Sequence, residues 1–132
     1  MNSEQQKQRA IEFLNQLEHP DPDKLAAMMT DNFEYELMAR MPGVPTRFNK
    51  EETLRDFVGM LKTMATNGFN FRFDTPICEG PNVAVQGESR TVIANGKPYN
   101  NRYFFYLRFE GGKIACLREY CDTNHVREVF MS

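Results

Sequence analysis

The chain has 132 residues, about one domain's worth, with 41% hydrophobic and 26% charged residues and a formal net charge of −2. A chain of this size buries a core without disulfide or metal staples, and its composition excludes global disorder. No apolar run nears the ~20 residues that span a bilayer, the polar start lacks a signal-peptide core, and no basic block offers a nucleic-acid footprint.

The first half reads as helical. Ser3-Glu4-Gln5-Gln6 has the form of a capping box, with Ser3 as N-cap. Ala10, Ile11, Leu14 and Leu17 then recur at helical spacing until Pro20. Asp21-Pro22 restarts the chain as a cap followed by a proline suited to the first helical position. Residues 33–37 alternate apolar and acidic side chains, as a short strand does. Residues 41–45, with two prolines and a glycine, are loop. A third helix opens at Asn49, with Glu52 completing a second capping box. Its stripe of Leu54, Phe57, Val58, Leu61, Met64 and Ala65 can be buried throughout.

After Gly68 the period becomes two. One strand is expected over 69–77, with Phe69, Phe71 and Phe73 on one face. A turn is expected over 79–82 and a second strand over 83–93. Asn95-Gly96 marks a tight hairpin into a long aromatic strand over 99–109. Gly111-Gly112 turns the chain into a last strand over 114–120, and Val126, Val129 and Phe130 suggest a closing helix. Helices followed by an antiparallel meander indicate one α+β domain over 1–132.

The chemistry concentrates on the last strand. By alternation Leu117, Glu119 and Cys121 share a face, opposite Arg118, Tyr120 and Asp122. Apolar neighbours desolvate a carboxylate and raise its pKa, which suits a residue that must take and give a proton near neutrality. Glu119 is therefore the candidate general acid/base; the competing expectation is a surface glutamate paired with an arginine. Glu88 is the second candidate, because two carboxylates in one apolar cavity push their pKa values apart. Its alternative is a solvated edge-strand residue.

Tyr99, Asn101, Tyr103 and Phe105 share another strand face. Tyr103 and Asn101 could hydrogen-bond a ligand carbonyl and stabilise an oxyanion there. Tyr35 points opposite to Glu34 and Glu36, and an apolar interior favours Tyr35 inside. Phe105, Leu117, Cys121, Met38, Phe57 and Met60 complete the expected lining, the flexible methionines suiting an adaptable pocket. Met38 and Met41 could gate its mouth. Arg72 and Asp74 read as a surface or interface ion pair, and Asp122 as the cap of the last helix. Cys78, Cys116 and Cys121 fit neither a disulfide framework nor a zinc pattern, so a reducing cytoplasm and no metal site are expected.

The stretches Gly96-Lys97-Pro98-Tyr99-Asn100, Gly112-Lys113-Ile114 and Arg118-Glu119-Tyr120-Cys121-Asp122-Thr123 resemble the SnoaL-like branch of the nuclear-transport-factor-2-like superfamily, which includes ketosteroid isomerases, polyketide cyclases and limonene epoxide hydrolase. The element order matches as well. The resemblance implies a conical α+β barrel, its curved antiparallel sheet wrapped around the N-terminal helices with an apolar pocket open at one end, and commonly a homodimer. It places the acid/base role on Glu119. It sets Gln86-Gly87-Glu88 beside an Arg-x-Asp motif of the epoxide hydrolase, with Gln86 in place of the arginine, and that enzyme's water ligands fall near Glu34 and Glu36. Those departures speak against epoxide hydrolysis by that route.

The sequence thus leads to a small enzyme without cofactor, acting by proton transfer on a lipophilic ring-containing or polyketide-like molecule. The alternatives are a non-catalytic carrier that uses the same cavity and a protein-interaction module that uses the sheet's outer face.

Overall fold

In the computed structural model, which describes residues 1–131, helix α1 spans Ser3–Gln16. Its cap lies one residue earlier than expected. Asn2 accepts from the Gln5 amide at 2.8 Å, and the Gln5 side chain accepts from the Asn2 amide at 2.9 Å. Asparagine caps as well as serine, so the box shifts by one position. Helix α2 (Pro22–Ala27) starts as expected, with Asp21 accepting from the amides of Asp23 and Lys24.

The early strand β1 covers Met29–Leu37, four residues longer than its alternating part, and β2 (Arg47–Asn49) follows the proline loop. The third helix is composite. α3 (Lys50–Glu52), capped by Asn49 with Glu52 reaching back, runs through a π-helical segment (Thr53–Phe57) into α4 (Val58–Met64). Phe57, Val58, Leu61 and Ala65 of its stripe are buried.

The strand expected over 69–77 is broken into β3 (Phe71–Phe73) and β4 (Ile77–Glu79), both pairing with β5 (Asn82–Ser89). Asn70 is left-handed at φ 52°, which ends extended pairing on one side. Pro76 lacks the donor a ladder needs on the other. The second expected strand likewise divides into β5 and β6 (Thr91–Val92). The aromatic one divides into β7 (Pro98–Tyr99) and β8 (Arg102–Glu110), β6 and β7 forming the Asn95-Gly96 hairpin. β9 (Lys113–Cys121) and α5 (Thr123–Phe130) close the chain.

The main sheet has seven strands, ordered β2-β1-β9-β8-β5-β3, with β4 also on β5. All its pairings are antiparallel except β1 with β9, which is parallel and sets Tyr35 beside Leu117 and Leu37 beside Glu119. The sheet curves over the helices as a cone. Its inner face supplies Val83, Val85, Phe105, Leu107 and Leu117 to a core shared with Ala10, Phe13 and Leu14 of α1. Two glycines permit close approach at the wall. Gly68, at φ 83°, lies where a Cβ would sit 2.6 Å from the His19 ring, and at Gly87 a Cβ would sit 2.7 Å from the Phe73 ring.

Candidate active site

β9 and the aromatic strands bring a set of polar tips to one end of the cone. There a cavity of about 290 Å³ remains between the sheet, the composite helix, the loop after β1 and α5. Its walls are almost wholly apolar. Leu37, Met38, Met41, Phe57, Met60, Phe69, Phe71, Val126 and Phe130 supply most of them, and Tyr35, Tyr99, Tyr103, Glu119 and Cys121 the polar tips.

Glu119 turns inward from β9, as alternation requires, and what surface it retains opens onto this cavity. Tyr35 donates a 2.6 Å hydrogen bond to its Oε1. The peptide oxygen of Glu119 accepts from the Met38 amide at 2.8 Å, so the start of the loop is tied to the same residue. Burial pushes the Glu119 carboxyl up to about 7, opposed by the Tyr35 bond, which favours the ionised form. A carboxyl in that range populates both protonation states near neutral pH. Burial and the Glu119 charge push the Tyr35 phenol well up. Tyr103 is raised chiefly by burial, as is Tyr99, to about 12. All three hydroxyls stay protonated as donors. Cys121 is likewise raised to about 12 by burial and by Glu119, which leaves a thiol rather than a nucleophilic thiolate.

The tyrosines are held from behind. Phe57 packs on Tyr35 with ring centroids 4.3 Å apart. The Tyr103 hydroxyl bonds Ser89 Oγ at 2.9 Å, and Tyr99 accepts from Asn101 Nδ2 at 2.8 Å while stacking on His125. Asn101 is buried, and its amide is spent on the protein. Oδ1 accepts from the Arg102 and Asp122 amides, and Nδ2 also reaches the Asp122 carbonyl. Asp122 caps α5 by accepting from the His125 amide at 3.2 Å. Among the described residues, no three His, Cys, Asp or Glu side chains are grouped as metal ligands.

Of the residues singled out in the sequence, Glu119, Tyr35, Tyr103, Cys121, Met38, Phe57 and Met60 meet around the cavity. Four do not reach it. Phe105 and Leu117 are core, and Asn101 ties β8 to the residue before α5 instead of facing a ligand. Glu88 is a correction of a different kind. It pairs in register with Arg102 on the outer face of the sheet and forms an ion pair with Arg72, whose guanidinium holds the Glu88 carboxyl below its ordinary range. Arg72 thus pairs across strands with Glu88, not along its own strand with Asp74. Around Glu88 lies a more open, charged depression of about 580 Å³, to which Arg72, Asp74, Arg102, Phe104 and Tyr120 contribute. The acid of Gln86-Gly87-Glu88 therefore faces away from Glu119, and of the early strand it is Tyr35, not Glu34 or Glu36, that lines the cavity. Sequence reasoning missed Phe69 and Phe71 as lining, although their alternation was visible. It also missed Val126 and Phe130, whose helical spacing carried the signal.

The SnoaL-like domain family matches by its sequence model over residues 10–117. The chain belongs to that family. The cone agrees with solved nuclear-transport-factor-2-like structures. One such protein from Burkholderia thailandensis is 22% identical over 100% of both chains, with a TM-score of 0.80. The BvnE pinacolase from Penicillium brevicompactum is 23% identical over 95% of this chain and 91% of its own, at a TM-score of 0.80. An LEH-like epoxide hydrolase from M. tuberculosis is 17% identical over 98% of this chain and 91% of its own, at a TM-score of 0.77. No curated protein matches the chain by sequence. The family match ends before Glu119, so membership establishes the SnoaL-like frame, and the reading of Glu119 stands on the cavity itself.

Proposed function

We propose that this SnoaL-like protein is a small acid/base enzyme, independent of any cofactor, that moves a proton beside a carbonyl of an apolar ring-containing or polyketide-like molecule. Isomerisation, dehydration and cyclisation all fit that step. The observation that carries the reading is Glu119, an acid in an apolar cavity, accepting a hydrogen bond from Tyr35 at 2.6 Å. The ionised carboxylate takes a proton from the carbon next to the carbonyl. Tyr99, whose oxygen accepts from Asn101 and whose own proton is thereby free, donates to the substrate oxygen as it gains charge, with Tyr103 beside it, a stabilisation that is strong in a water-poor site. Glu119 then returns the proton to another carbon or to a leaving hydroxyl. Tyr35 positions Glu119 and tunes its basicity. Neighbours of this fold named as a pinacolase and an epoxide hydrolase support small-molecule enzyme chemistry on the frame. The Gln86-Gly87-Glu88 stretch, turned to the outer face, keeps epoxide hydrolysis by the known route out of the proposal.

Homodimerisation through the sheet's outer face, where Phe104 and Tyr120 are exposed cross-strand neighbours, belongs to the same proposal. So does a cytoplasmic setting, which suits three free cysteines.

The test needs no knowledge of the natural substrate. A two-ring ketone such as 2-tetralone is incubated with the protein in D₂O, and exchange of its α-hydrogens is followed by NMR. Catalysed exchange that Glu119→Gln abolishes while ligand affinity persists supports the enzyme. Tight binding by the wild type with no exchange, unchanged in the variant, supports a carrier instead.

A further inference from the structure

Resting on the acid/base reading of the cavity, we propose that its substrate is an uncharged one- or two-ring carbonyl compound that enters polar end first. Three observations converge on that class.

The first is size. At about 290 Å³ the cavity lies at the small end of the roughly 300–1,000 Å³ range of small-molecule sites, so it suits a ligand smaller than a drug-sized one. A fused two-ring skeleton with a short carbonyl substituent fills that space, and a third ring must project beyond it.

The second is charge. Among the described residues no lysine, arginine or histidine lines the cavity, and the one carboxyl among them, Glu119, is already engaged by Tyr35. An anion would be buried unpaired beside Glu119. An ammonium would meet a single carboxyl oxygen pair already holding a hydrogen bond. Either loses hydration without full compensation.

The third is polarity along the cavity. Tyr35, Tyr99 and Tyr103 are 0%, 5% and 7% exposed and form the inner wall, whereas Met60 and Met131 are 38% and 52% exposed and mark the rim. Donors are therefore deep and thioether and methyl surface is outermost, so a bound carbonyl faces inward and apolar skeleton faces the mouth. The outer depression, by contrast, is open and charged, and offers no such enclosure.

Isothermal titration of the whole protein at pH 8 tests this with matched probes. From acetophenone to 2-acetylnaphthalene, affinity should rise at least about tenfold as apolar surface is buried. From 2-acetylnaphthalene to 2-acetylphenanthrene it should rise no further. The 2-naphthoate anion and the 2-naphthylmethylammonium cation should each bind at least about 30-fold more weakly than 2-acetylnaphthalene, reflecting uncompensated desolvation. A three-ring ketone that binds tighter than the two-ring one, a charged probe closer in affinity than that margin, or no binding by 2-acetylnaphthalene overturns the proposal. The same series on Glu119→Gln separates the two ideas. A retained size order with exchange undiminished in the variant sinks the acid/base reading alone. Exchange lost in the variant with the size or charge order violated sinks the substrate class alone.

Discussion

Glu88 and Glu119 are both strand glutamates, yet the sheet sends them to opposite environments. Glu119 faces inward from β9, accepts from Tyr35 and is lifted to about 7 by burial. Glu88 faces outward from β5, meets Arg72 and is held below the ordinary carboxylate range. The side chains are chemically identical, so the whole divergence comes from strand parity. One residue of register decides whether a carboxyl is a solvated ion or a group poised to exchange protons near neutrality.

The largest test of that contrast is rate. Glu119→Gln should slow α-hydrogen exchange of a bound ketone by about 10²–10⁴, the range a positioned acid/base group supplies. The contrast should also appear in stability. The folded carboxyl titrates near 7 against 4.5 for its ordinary value, so between those pH values the native chain holds a proton that the unfolded chain releases. The resulting stabilisation is complete below about pH 4.5 and is lost as pH rises through 7, amounting to ~3 kcal/mol. Denaturant melts at pH 5 and pH 8 should show that decline in the wild type and a flatter profile in Glu119→Gln. Next in size is Tyr35→Phe. Without its donor the carboxyl loses a bond that favours the ionised form, so the acid limb of the exchange-rate profile should move up by about one pH unit, a roughly fivefold loss at pH 7. Smallest is Glu88→Gln. Its exposed ion pair is screened by solvent, so exchange should stay within about twofold of wild type. A large loss there would erase the distinction between the two faces.

Much of this was legible because local chemistry is self-sufficient at caps and tight turns. Asp21-Pro22, Asn49 with Glu52, Asn95-Gly96 and Asp122 each act within four residues, and the fold uses them as read. Glu119 and Tyr35 were legible for a related reason, since strand alternation set each against apolar company. The failures lie where long-range pairing overrides local pattern. The polar start of β1 is a strand because Met29 pairs with Ile114 in parallel, which no short window displays. Asn101 looked like a ligand donor because its strand face was right, but the backbones of Arg102 and Asp122 claim its carbonyl oxygen first. Glu88 looked paired with Glu119 because both sit in apolar strands, and only the register of β5 on β8 places it outside.

The parallel seam between β1 and β9 also governs when the polar end of the cavity can form. It joins positions 35 and 119, 84 residues apart in the sequence, and every hairpin between them can close without it. A nascent chain that has made β8 but not β9 has neither the acid nor its phenol partner in place. Loop-closure entropy for so distant a pairing delays it further. Assembly of the Glu119–Tyr35 pair should therefore be among the last events of folding, coincident with the final cooperative step instead of preceding it.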